Sequence, residues 1–142
     1  MVMNSIFDKK SQICAIYFMP LSKARVEDYP GSSYITFISG IWTRINFSKA
    51  DFKEKQSGNG ELIEQTFEAT ITNTDSDNEA ILQAVVSELG FLRIDYTNGG
   101  IKVAGTDKFP VLLEKDRSGS PAIFKLSFKR QSPEFSKYFK SF

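Results

Sequence analysis

The side chains that most often carry catalysis are scarce in this chain, whose 142 residues include no histidine and one cysteine. Without an imidazole, Ser-His-Asp and Cys-His nucleophilic chemistry and histidine-based zinc sites are excluded. Cys14 has no second cysteine for an internal disulfide or a thiolate cage. It sits inside the apolar run Ile13-Cys-Ala-Ile-Tyr-Phe-Met19 with no basic neighbour to favour the thiolate, so a buried, inert thiol is expected. Glu64 and Glu68 are spaced to share one strand face and have the types for an acid/base pair, but nothing local distinguishes them from a solvated face. Asp75-x-Asp77-x-Glu79 matches the first half of a calcium loop. Ala80 stands where the loop needs glycine and Val86 where it needs the bidentate glutamate, so the segment reads as a helix start. Gly58, Gly60, Gly99, Gly100, Gly105 and Gly119 fall at turns, and no glycine run opens a helix as a phosphate cradle would. These residues form no catalytic constellation and no cofactor or metal site, and the chain is expected not to be an enzyme.

The elements that position these residues read as mainly β. Residues 12–18 are β-branched and aromatic and end before Pro20, which predicts a buried strand, followed by a loop over 20–33. An extended stretch over 34–47 is interrupted at Gly40, beyond which Ile41, Thr43, Ile45 and Phe47 are expected on one face and Trp42, Arg44 and Asn46 on the other. Residues 48–72 read as a long hairpin around Gln56-Ser-Gly-Asn-Gly60. Its returning arm has strict alternation, with Ile63, Gln65, Phe67, Ala69 and Ile71 inward and Glu64, Thr66, Glu68, Thr70 and Thr72 outward. The capping box Ser76-Asp-Asn-Glu79 and the helical spacing of Ile81, Ala84, Val85, Glu88 and Leu89 predict a helix over 77–89, ended by Gly90. Asn98-Gly99 joins a second hairpin, 91–97 with 101–105, and a third pair of strands is expected at 109–115 and 122–130, with Phe124, Leu126 and Phe128 inward.

The last segment differs in kind. Ser132 suits an N-cap and Pro133 the first helical position, and Phe135, Tyr138, Phe139 and Phe142 recur at helical spacing, which predicts a short helix with an aromatic stripe. Such a helix is unstable alone in water and must dock on its own core or on a neighbouring subunit. The expected organisation is therefore one β-rich domain over 1–131, an antiparallel sandwich or barrel-like core, with a helical tail over 132–142.

Charge is balanced overall at +1 but unevenly placed: residues 1–60 hold 8 basic and 5 acidic side chains, 61–98 hold 1 and 8, and 99–142 hold 9 and 4. The acidic centre between basic flanks favours head-to-tail contact between copies, and the balance gives no broad nucleic-acid signature. Lys125, Lys129, Arg130, Lys137 and Lys140 interleave with aromatics as in single-strand binders, a pattern that strand alternation produces unaided. Lys9 and Lys10 before an apolar run outline a secretion signal, but Asp8 precedes the run and it is short for one. No stretch approaches the roughly 18 consecutive apolar residues of a membrane span.

The order of elements carries a resemblance. The turn Ser57-Gly-Asn-Gly60, the strand with Glu64-Gln-Thr-Phe67, the short helix, Phe91-Leu-Arg-Ile-Asp-Tyr-Thr-Asn-Gly-Gly100, and Val103-Ala-Gly-Thr-Asp-Lys-Phe-Pro-Val-Leu-Leu113 follow one another. Over residues 40–133 this arrangement is similar to small tail or neck structural proteins of tailed bacteriophages and prophages of Bacteroides-type hosts. The resemblance implies a virion protein, assembled in the host cytoplasm. Its copies would form a ring or tube with neighbouring structural proteins, and double-stranded DNA would pass through without specific binding. On that reading the assembly contacts are Lys53, Lys55, Glu61 and Glu64 at a hairpin reaching beyond the body, and Phe135, Tyr138, Phe139 and Phe142 as an anchor. The alternative is a monomeric β-barrel module, an OB-like single-strand or ligand binder that stacks bases on Trp42, Tyr34 or Phe47.

Overall fold

A computed structural model describes residues 12–28, 31–58, 60–119 and 123–141. Among them are eleven strands: β1 (Ile13–Pro20), β2 (Arg25–Asp28), β3 (Tyr34–Ser39), β4 (Thr43–Ile45), β5 (Lys49–Gln56), β6 (Ile63–Ile71), β7 (Gly90–Tyr96), β8 (Ile101–Ala104), β9 (Glu114–Ser118), β10 (Ile123–Ser132) and β11 (Lys137–Ser141). One helix, α1 (Ser76–Val86), separates β6 from β7. A seven-stranded sheet in the order β2-β3-β11-β8-β7-β1-β4 curls into half a barrel, and a four-stranded sheet in the order β5-β6-β10-β9 packs against part of it. The chain is mainly β with one internal helix, as its alternation predicts.

The long hairpin is continuous in register from Lys49 opposite Thr70 to Gln56 opposite Ile63, and β6 also pairs along its whole length with β10. It is therefore integrated into the smaller sheet. Its inward residues Ile63, Gln65, Phe67, Ala69 and Ile71 are all buried, as the alternation requires. Phe124, Leu126 and Phe128 of β10 join them.

Register partners across the larger sheet share a face. The row Tyr34, Tyr138, Lys102, Ile94, Ile16, Ile45 crosses six strands. Ile94, Ile16 and Ile45 lie in the core between the two sheets, with Phe67, Phe124, Leu126 and Leu82 of the helix. At the other end of the row Tyr138 is 48% and Tyr34 55% exposed, because the smaller sheet covers only part of this face. The opposite face carries a second core of Met19, Ile35, Phe37, Phe91 and Val103, against which Leu21, Ala24, Trp42 and Phe139 pack. Gly40 permits this closure: its φ is +135°, and a Cβ there would lie 2.4 Å from the Met19 sulfur.

Several expectations are corrected. Residues 132–141 do not form the expected helix. Lys137–Ser141 is a strand seated between β3, to which it is parallel, and β8, to which it is antiparallel. The slot between two existing strands offers ladder partners on both sides, and Phe and Tyr suit a pleated surface, so strand pairing overrides the helical spacing. The loop over 20–33 contains β2, whose Val26 packs on the second core while its charged neighbours face outward. The stretch 34–47 is two strands far apart in one sheet, β3 second from one edge and β4 at the other edge. Strand parity does not survive the break at Gly40, so Ile41 is 83% exposed while Trp42 packs inward.

Cys14 is exposed, not buried, because β1 bulges between Ile13 and Ala15 and the extra residue leaves the core face. The helix is capped by Asp75, whose carboxylate accepts from the Asn78 N–H at 2.8 Å, and it ends at Val86, so Leu89 lies outside it, half-exposed. Of the stretch 109–115, Val111 makes an isolated bridge to Gly90 and regular pairing begins only at Glu114. Thr106 and Phe109 close a turn instead, with N–H donation in both directions at 3.0 and 3.1 Å.

Candidate functional site

The two segments singled out for assembly, the hairpin and residues 132–142, meet in the fold. Glu54, Gln65 and Arg130 are register partners across β5, β6 and β10, so their side chains form a row at one end of the inner face. Gln65 is fully buried; its amide donates to Glu54 Oε2 at 2.8 Å, and its carbonyl oxygen accepts from Arg130 Nε at 2.8 Å. Arg130 also donates to the carbonyls of Phe109 and Pro110 at 2.7 and 3.0 Å. Glu54 accepts from the Ser136 N–H at 2.6 Å and from its hydroxyl at 2.7 Å. This connected network ties the hairpin, the 106–110 turn and the approach to β11 into one unit. Burial draws the Arg130 guanidinium below its ordinary value, and Glu54 opposes that shift. Lys137 is 2% exposed, bonds to Asp28 and lies 3.3 Å from Glu134. Paired carboxylates permit that burial.

Beside this network, a groove of about 500 Å³ runs between the hairpin end and the uncovered part of the larger sheet, lined by Glu54, Gln56, Lys102, Phe135, Ser136 and Tyr138 among others. Lys102 Nζ lies 5.9 Å from the Tyr96 ring centre and 5.8 Å from that of Tyr138, within cation–π range of both. Tyr138 also contacts Tyr34, with ring centres 5.9 Å apart. The Tyr96 hydroxyl is pushed up to about 12, first by burial and then by the carboxylates of Glu54 and Asp51.

The predicted contact residues divide into three groups. Lys53, Lys55, Glu61 and Glu64 are exposed, and Lys55 faces Glu64 across the hairpin. Lys53 lies 3.6 Å from Asp51 in a pair too exposed to contribute much stability. Phe135 and Tyr138 are each 48% exposed at the groove. Phe139 instead packs within its own chain, stacked 5.7 Å from Phe37 and edge-on to Trp42 at 6.1 Å, partly buried against the second core. Phe142 lies outside the described residues. The Glu64 and Glu68 positions are on the wet face, where Glu68 pairs with Lys125 at 3.1 Å. Of the three suggested stacking platforms, Trp42 and Phe47 pack on the two cores, leaving Tyr34 open.

Glu54, Ser136 and Lys102 were not singled out by sequence pattern, and Arg130 was named only among the basic residues that interleave with aromatics. One signal for the network was present: Gln65 falls on the apolar side of a strict alternation, and a buried amide needs partners.

No family model, curated protein or solved structure matches the chain.

Proposed function

We propose that the protein is a non-enzymatic structural subunit whose copies assemble into a ring or tube, of the tail or neck kind that residues 40–133 resemble. In that role it is a virion component, and double-stranded DNA passes through its lumen unbound. The observation that carries the reading is the exposed aromatic patch of Tyr34, Phe135 and Tyr138 around the groove beside the hairpin end. Large apolar side chains gathered at one place, each about half-exposed, mark a surface that is covered in the working state. A net charge of +1 suits a lumen that conducts DNA without gripping phosphates.

Sedimentation velocity with negative-stain imaging of the purified chain tests this. Discrete multi-subunit species with a central opening are expected up to about 0.1 mM protein. A chain that stays monomeric throughout that range overturns the reading, and one that is monomeric and binds a single-stranded oligonucleotide replaces it with the single-strand module.

A further inference from the structure

The outer face of the four-stranded sheet is striped by charge, strand by strand. Edge strand β5 presents Lys49, Asp51, Lys53 and Lys55, and its partner β6 presents Glu64 and Glu68. Next, β10 presents Lys125 and Lys129, and the far edge β9 presents Glu114 and Asp116. The order is basic, acidic, basic, acidic. Opposite signs meet where Lys55 faces Glu64 and Lys125 faces Asp116, and Lys125 pairs with Glu68 at 3.1 Å; Asp51 opposite Glu68 is the exception. At the two outer boundaries the alternation is cut off, with a basic edge on one side and an acidic edge on the other.

We infer that these two edges join copies of the chain head to tail, β9 of one subunit pairing with β5 of the next. This inference rests on the self-assembly reading and names its interface. An edge strand has one neighbour, so every second N–H and C=O along it points away unpaired. The sheet has an even number of antiparallel strands, so a copy related by rotation about an axis along the strands brings its β5 antiparallel to β9. Such a contact is heterologous, and heterologous contacts repeat around rings or along tubes, whereas a two-fold contact stops at a dimer.

Side-chain parity and charge then fix the register. Outward positions must meet outward positions, which places Lys55 opposite Glu114 and Lys53 opposite Asp116. On the inner side Phe52 faces Arg117, a cation beside an aromatic ring. A shift of two residues one way sets Asp51 against Asp116, and a shift the other way moves Glu114 beyond Lys55. Among the described residues Lys55, Glu114 and Asp116 have no ion partner within the chain, and all three are exposed. The inward residues of β9 are already engaged: Lys115 donates to Gln83 at 3.1 Å, and Arg117 lies 3.6 Å from Glu79, both on the helix.

The test is charge exchange in the full chain, read by sedimentation with circular dichroism as the folding control. Lys53→Glu with Lys55→Glu, and separately Glu114→Lys with Asp116→Lys, are each expected to weaken self-association at least about tenfold. Mixing the two variants in equal amounts, or combining all four changes in one chain, is expected to restore it. If a double variant fails to fold, Lys55→Gln and Glu114→Gln replace it, with a weakening of about threefold expected. Assembly of the wild type with no weakening in the variants, or no restoration on mixing, overturns the edge contact and leaves the self-assembly reading standing. A wild type that remains monomeric overturns that reading, and the edge contact with it.

Discussion

The two hydrophobic cores lie on opposite faces of one seven-stranded sheet and are built differently. The core between the sheets is filled by alternating aliphatic and Phe side chains of β1, β6, β7 and β10, closed by Leu82 and Val85 of the helix. The second is aromatic: Phe37 meets Phe91 and Trp42 edge-on at 5.1 and 4.8 Å and stacks on Phe139 at 5.7 Å. It also contains a cation. Arg93 stands 4.7 Å from the Tyr17 ring centre and 4.8 Å from that of Phe139, while its Nε and Nη2 donate to Asp95 at 2.9 and 3.1 Å. The first core is assembled from strands that announce themselves by alternation. The second depends on β11, which among the described strands is the one that links the β2–β3 pair to the rest of the sheet. A sheet can bury both faces when each is covered by a different part of the chain, and the later cover is then the vulnerable one.

Deleting residues 132–142 should break the comparison open. It removes the bridge between β3 and β8, the Ser136 bonds to Glu54 and the Phe139 packing, so a loss above about 4 kcal/mol is expected, seen as a melting temperature lowered by ten degrees or more. Near-unchanged melting would show that the second core contributes nothing to the fold. Phe67→Ala and Phe37→Ala should each cost about 3–5 kcal/mol. They should differ in where the loss appears: hydrogen exchange in Phe37→Ala should accelerate in β2, β3 and β11 ahead of β6 and β10, and in Phe67→Ala throughout. Equal acceleration everywhere in both would mean one indivisible core.

Arg93→Ala should cost about 1–3 kcal/mol, because it leaves Asp95 without its two-pronged partner and opens the aromatic cluster. Arg93→Lys should recover less than half, since an ammonium lacks the planar fork. Full recovery would reduce Arg93 to a generic charge. The smallest effect belongs to Tyr96, at the edge of the first core. Its phenol ionises at 10.0 when unfolded and at about 12 when folded. The unfolded state therefore loses its proton first, and the associated stability, intact below pH 10, is lost between pH 10 and 12. Tyr96→Phe should leave melting at pH 7 unchanged and flatten the alkaline fall; an unaltered fall in the variant would assign it to other groups.

Legibility followed the same division. The β5–β6 hairpin was readable because one wet face and one dry face write a period of two into residues 63–71. The helix start was readable to within one residue, because the acidic cluster permits capping from either Asp75 or Ser76 and only the backbone decides. The last segment misled because Phe135, Tyr138 and Phe139 satisfy helical spacing while Tyr138 and Phe139, as strand neighbours, also satisfy outward and inward positions. What decides is the slot between β3 and β8, which involves residues far away in sequence. Cys14 misled for a local reason, since a bulge inverts parity without any signal in composition. The Glu54–Gln65–Arg130 row was half legible. Gln65 flagged a buried amide, but its partners depend on which strands become neighbours.

The parallel pairing of Tyr34 with Tyr138 has a consequence for the order of events during synthesis. Strand β3 emerges early and finds β2 as a hairpin partner, yet its second neighbour is made about a hundred residues later, and contacts of such separation form slowly. Until residues 137–141 arrive, the nascent β2–β3 pair presents an open edge and an uncovered aromatic surface, the conditions that recruit chaperones. Folding should therefore finish at this seam. Pulse-labelled hydrogen exchange during refolding should find β2 and β3 protected last, and early protection there would mean that the seam closes before the rest of the sheet.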